Sequence, residues 1–125
     1  MFEATYKTTA LVESNAQGQR VFKVLKHEDP VDDDGFLSLV ARIYQQDVYR
    51  TLREGDDLTV TVHLDFPPRD IERTLHFRED GRLEGEGVLE PTTDLLPLIL
   101  SMSEHFRQQV QPGDVLTALF QLQRL

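Results

Sequence analysis

Between Leu58 and Phe66 apolar and polar residues alternate without a break, Leu58, Val60, Val62, Leu64 and Phe66 against Thr59, Thr61, His63 and Asp65. A period of two puts each set on its own face of a strand, so the stretch predicts a strand with one wet face. The same period runs through Phe2, Ala4, Tyr6, Thr8, Ala10 and Val12, and predicts a first strand. A turn cluster, ESNAQGQR, and a second apolar run, Val21 to His27, complete a hairpin with it.

From Phe36 the period changes. Leu37, Val40, Ala41, Tyr44, Val48 and Leu52 recur at spacings of three and four, which places one stripe on a helix. Asp32, Asp33 and Asp34 stand where carboxylates favour a helix start, Arg50 and Arg53 where cations favour its end, and Gly55 suits the left-handed residue just beyond. A second stripe, Leu95, Leu98, Ile99, Met102, Phe106 and Val110, predicts a second helix capped by Thr92, Thr93 or Asp94, with Pro97 harmless in its first turn. QPGD ends that helix, and Leu116, Ala118, Phe120 and Leu122 share one face of a last strand from Val115 to Leu125.

Between the two helices the turns set the register. PPRD closes a hairpin in which Phe66 opposite Ile71 sets Val62 against Leu75 and Val60 against Phe77. In REDGR a two-residue turn at Asp80 and Gly81 would oppose Phe77 to Glu84 and mix the faces. A three-residue loop with Gly81 left-handed instead opposes Phe77 to Leu83, Leu75 to Gly85 and Ile71 to Leu89.

The resulting order, ββαβ-ββαβ, is written twice in the residues as well. At an offset of 58, Leu37, Val40, Tyr44, Val48 and Leu52 fall on Leu95, Leu98, Met102, Phe106 and Val110, and a shared GDxLT maps Gly55, Asp56, Leu58 and Thr59 onto Gly113, Asp114, Leu116 and Thr117. The expected fold is α+β: one domain over 1–125, half-repeats 1–66 and 71–125, and a mostly antiparallel sheet of about six strands carrying two helices with a pseudo-twofold relation.

Composition narrows the functional classes. Thirteen Lys and Arg against 22 Asp and Glu leave a net charge of −9, which repels phosphate backbones and anionic lipid, so neither nucleic acid nor membrane is expected as a partner. A basic protein partner suits that charge. The longest apolar run, LLPLIL from Leu95 to Leu100, is far short of the ~20 residues of a membrane helix, and the first residues lack a secretory pattern. Without cysteine there is no disulfide or thiolate chemistry, and a cytoplasmic location is expected.

Candidate chemistry is sparse. DPVDDDG resembles a calcium loop, yet Gly35 at loop position 6 puts Pro30 at position 1 and Ala41 at position 12, so it reads as a helix start. The histidines show no metal spacing, and neither a metal nor a cofactor is expected. His76 faces Glu84 and His63 faces Thr74 in the register above, with Glu86 nearby, an arrangement that general acid–base catalysis could use and cross-strand charge pairing explains more simply. Arg69, Arg73, Arg78 and Arg82 interleave with Glu72, Glu79, Asp80 and Glu84 as a salt-bridged surface. No GxSxG, P-loop, GxGxxG or CxxC pattern is present, so no catalytic residue is assigned.

Two stretches point to binding. Gly85 and Gly87 fall on the inward face of an expected strand, where they mark close helix packing or floor a recess walled by Leu75, Leu83 and Met102, with His76 and Glu84 at its rim. LLPLIL is apolar around most of its circumference, which implies deep burial or an interface through Leu95, Leu96, Ile99 and Leu100 of a homodimer. The expectation is a non-enzymatic, acidic protein-binding module of adaptor, chaperone-like or immunity type. A small-molecule binder at Gly85 and Gly87, or an enzyme using His76 and Glu84, are the alternatives.

Overall fold

The computed structural model describes residues 1–27, 29–65, 68–107 and 109–125. The alternating stretches become strands β1 (Phe2–Ser14), β2 (Arg20–Val24), β3 (Asp57–Leu64) and β4 (Arg69–Phe77), followed by two-residue strands β5 (Leu83–Glu84) and β6 (Val88–Leu89) and then β7 (Val115–Arg124). They form one antiparallel sheet in the spatial order β2-β1-β7-β3-β4-β5-β6. Both helices lie on one face of it, touching each other as well as the sheet. Ala10, Val12, Leu58, Val60, Val62 and Leu64 of that face are at most 1% exposed, as are Leu116, Ala118, Phe120 and Leu122. The fold is α+β, as the periodicities predict, with seven strands rather than six because the LEGEGVL stretch folds back on itself.

The first helix (Asp33–Ile43) begins at Asp32, whose carboxylate accepts a 2.7 Å hydrogen bond from the Gly35 amide. It continues through a π-helical turn (Tyr44–Val48) and an α-helical turn (Tyr49–Thr51). Its buried side chains are Phe36, Val40, Tyr44, Val48 and Leu52, a spacing of four throughout. Each such step overshoots a 3.6-residue turn by about 40°, and a wider π turn returns the stripe to the sheet. Leu37 and Ala41, expected in the stripe, are half-buried; Phe36 takes the inner place and stacks on Phe22 at 5.1 Å. In the second helix (Leu95–Arg107), Leu95, Ile99, Met102 and Phe106 are buried.

The halves obey a twofold relation in their register. In the central β3/β7 ladder Leu58 pairs with Leu122 and Leu64 with Leu116, so adding 58 to one strand and subtracting it from the other reproduces the ladder about the Thr61–Leu119 pair. Outward, Thr9 pairs with Thr117 and Thr74 with Thr59, their hydroxyls 3.3 and 3.2 Å apart. Phe22 bridges Val31 as Leu83 pairs with Leu89. The repeated Gly-Asp turns act alike: the Gly55 amide donates to Phe77 and Phe77 to the Asp56 carbonyl, while Gly113 and Asp114 hold Val12 in the same way, all at 2.8 Å. Gly55 and Gly113 reach φ of 89° and 99°, which side chains resist. The halves are interleaved, because β3 of the first lies between β7 and β4 of the second, and β7 of the second between β1 and β3 of the first.

Two registers differ from expectation. Val62 pairs with Ile71 and Leu58 with Leu75, a shift of four residues from the Val62–Leu75 pairing; Leu64 pairs with Arg69, so the turn comes earlier. An even shift leaves every face unchanged, so alternation cannot detect it. Phe66, the expected partner of Ile71, lies outside the described residues. The Gly81 loop is as predicted, with Phe77 opposite Leu83 and Gly81 at φ 82°. Leu89, however, pairs with Leu83 and not with Ile71.

Candidate functional site

That reversal at the glycines builds the main cleft. Beyond Glu84 the Gly85 amide donates to the Gly87 carbonyl at 2.8 Å, and Val88 returns to pair with Glu84. Without side chains at two of its three turn positions the backbone bends here with little hindrance. Strand β5 therefore covers β4 only at His76 and Phe77. From Arg69 to Leu75 the outer edge of β4 takes no strand partner among the described residues.

A cleft of ≈ 650 Å³ opens along this edge. Leu75, Leu89 and Leu98 supply its apolar lining, and Gly85 and Gly87 lie on one wall. Gly85 is held close: a Cβ there would stand 2.9 Å from Leu75 Cδ2 and 3.4 Å from the Thr74 carbonyl oxygen, whereas one at Gly87 would meet nothing within 4 Å. Thus Gly85 serves close packing and Gly87 leaves open space.

The charged lining is mostly acidic, with Asp57, Glu72, Glu84 and Glu86 against Arg73 and His76. His76 lies opposite Glu84 as expected, but its Nδ1 is 2.8 Å from Asp57 Oδ1 on the other neighbouring strand. The Arg73 guanidinium donates to the Glu72 carbonyl at 2.8 Å. Glu84 and Glu86 have no ion-pair partner among the described residues.

Of the residues expected to form the recess, Leu75, His76, Glu84, Gly85 and Gly87 come together, while Leu83 and Met102 are buried in the core and do not line it. Asp57, Glu72, Arg73, Leu89 and Leu98 join instead. The early end of β5 brings them in, and its only trace in the sequence is the glycine pair. His63 faces Asp70 and hydrogen-bonds it through Nδ1, correcting the expected Thr74 partner, and it stands outside the cleft. Arg78 pairs with Asp80 at 2.8 Å and Arg82 with Glu90 at 2.9 Å, while the Arg69 guanidinium sits 5.8 Å over the Phe106 ring.

On the second helix, burial accounts for part of the apolar stretch expected to be either buried or an interface. Leu95 and Ile99 are wholly buried, so neither is available to a second chain; Leu96 and Leu100 are half-buried. Of LLPLIL, Leu95 and Ile99 enter the protein's own core, while Leu96, Leu98 and Leu100 are half-buried and Pro97 is exposed. Among the described residues no cluster of three metal-ligating side chains forms, and no helix is long and apolar enough to cross a membrane. Comparisons with protein-family models, curated proteins and solved structures find no match for the chain.

Proposed function

We propose that this protein is a binding module that takes up an extended, basic segment of a partner protein along the free edge of β4. The observation that carries the reading is the joining of a strand edge, Arg69 to Leu75, to a cleft with apolar walls and two carboxylates, edge and carboxylates alike unpaired among the described residues. An exposed edge pairs with an added strand through backbone hydrogen bonds, and alternate side chains of that strand enter neighbouring pockets. An apolar side chain would rest between Leu89 and Leu98, and a Lys or Arg beside it would meet Glu84 and Glu86. The net charge of −9 speeds the approach of a cation and slows that of an anion.

Fluorescence anisotropy with labelled ten-residue peptides of alternating Val-Lys and Val-Glu tests this reading. The Val-Lys peptide binds, the Val-Glu peptide does not, and Glu84→Lys with Glu86→Lys weakens binding at least about tenfold. Equal binding of both peptides, or indifference to the double substitution, would show the reading to be wrong. A second reading, a small cationic ligand in the same cleft, draws on its apolar lining. It predicts that hexylamine displaces the peptide.

A further inference from the structure

The cleft has a twofold counterpart at the other end of the sheet. Lys7, Thr8 and Thr9 pair with Leu119, Ala118 and Thr117, the β7 positions that correspond to the partners of Glu72, Arg73 and Thr74. Val12 with Phe22 matches Phe77 with Leu83, which puts Val24 in the place of Gly85. Beneath the first helix, Lys7, Thr8, Thr9 and Val24 help to line a cleft of ≈ 280 Å³, just under the usual volume of ligand sites and room for a small molecule only.

Its charge is reversed. Lys7, Lys26 and Arg42 line it, and among the described residues none of them has an ion-pair partner and no carboxylate shares the lining. Leu39 and Ile43 wall it from the helix. Three cations gathered at one recess of a chain with net charge −9 run against the average of its surface.

One further observation points to a ligand. Thr8 is 5% exposed, lines the cleft, and its hydroxyl is buried without a hydrogen-bond partner. Buried hydroxyls are nearly always satisfied, so an orphan beside a cationic recess is a donor awaiting an acceptor. Lys26, also in the lining, holds φ at 67° as the third residue of the turn that the His27 amide closes on the Val24 carbonyl at 3.1 Å, and that turn carries its side chain to the recess.

We propose that this cleft binds a small organic oxyanion, a carboxylate or phosphate on a short apolar body. The oxyanion would lie among Lys7, Lys26 and Arg42 and accept from the Thr8 hydroxyl, with the apolar body against Leu39 and Ile43. This inference is independent of the β4 reading, because it uses other residues and the opposite charge.

The test is amide chemical-shift titration of the full chain with hexanoate, hexyl phosphate and, as a sign control, hexylamine. Expected are shifts at Thr8, Thr9, Leu25 and Lys26 with at least one of the anions, the one that acts identifying carboxylate or phosphate as the group recognised, and none with hexylamine. Arg42→Glu then weakens anion binding about tenfold or more, as loss of a charge-assisted contact should. Thr8→Val weakens binding about fivefold and raises Tm, because an unsatisfied buried hydroxyl has been removed. Response of the Thr8, Thr9, Leu25 and Lys26 amides to hexylamine, silence with both anions, or an unchanged affinity in Arg42→Glu would overturn the assignment. So would a fall in Tm for Thr8→Val, since it would show that the hydroxyl already has an internal partner.

Discussion

The Arg124 guanidinium holds the buried Asp56 carboxylate through two hydrogen bonds, Nε to Oδ1 at 2.7 Å and Nη2 to Oδ2 at 2.9 Å. The Arg53 amide donates to the same carboxylate at 2.8 Å, so one acid ties the end of the first helical segment to the last strand. Burial pushes the Asp56 carboxyl up, but the bonds from Arg124 and the Arg53 amide, with both positive charges, outweigh it and hold it below its ordinary value. A carboxyl lowered by folding adds stability above its unfolded value, and that stability is lost as pH falls through the folded value. Asp56→Asn is expected to cost ~2–3 kcal/mol near neutral pH and to flatten the acid limb of stability. Urea melts from pH 7 down to pH 3 on both proteins check it.

Asp114 is the twofold counterpart, and its carboxylate accepts from the Gln111 amide at 2.7 Å, as that of Asp56 does from Arg53. It has no arginine in place of Arg124 among the described residues. Asp114→Ala should therefore cost only ~1 kcal/mol, the usual worth of one such bond. Equal losses at Asp56 and Asp114 in the same melts would mean that the arginine adds nothing.

The buried Tyr44 hydroxyl donates to the Pro91 carbonyl at 2.6 Å, joining the π turn to the approach of the second helix. Tyr44→Phe leaves that carbonyl without its donor and should cost ~1–2 kcal/mol in denaturant. Burial first, and then Tyr49, push the phenol well above its ordinary value. Since the folded form keeps its proton longer, stability falls as pH rises past the ordinary tyrosine range, and Tyr44→Phe reduces that fall.

The two cleft glycines should behave oppositely. Gly85→Ala forces Leu75 to give way and is expected to cost ~1–3 kcal/mol. Gly87→Leu meets open space, so it should leave Tm nearly unchanged while blocking the Val-Lys peptide. Thermal melts alongside anisotropy separate the two effects.

On the second helix, Ile99→Ala removes a core side chain and should cost ~2–5 kcal/mol. Leu96→Lys and Leu100→Lys should keep the fold, because a lysine on a half-buried site carries its charge outward. Sedimentation of these two variants measures whether that face supports self-association; an unchanged mass distribution assigns it to the monomer's own surface.

Much of this fold is legible in the chain, and the errors share a cause. Leu58, Val60, Val62 and Leu64 face the core under any even shift of β4, so periodicity finds the faces and misses the register. Gly81 is read correctly because the competing two-residue turn was an odd shift, which would have exposed apolar residues. Gly85 and Gly87 do signal a departure from regular strand, but period two treats them as inward positions when the chain is turning. Free edges are harder still, since the opening beside Arg73 and Leu75 depends on where β5 stops, a property of the neighbour. Thr8 was a clue in plain view, a hydroxyl among Ala4, Tyr6, Ala10 and Val12 on an inward stripe.

Phe2 pairs with Arg124, and β7 lies between β1 and β3. During synthesis, both of those strands must wait with bare flanks until the residues of β7 have emerged. Assembly of the sheet's centre is thus a late event, slowed by closure of nearly the whole chain. Until it occurs, the emerging polypeptide offers other chains the hydrogen-bonding groups that β7 will later occupy.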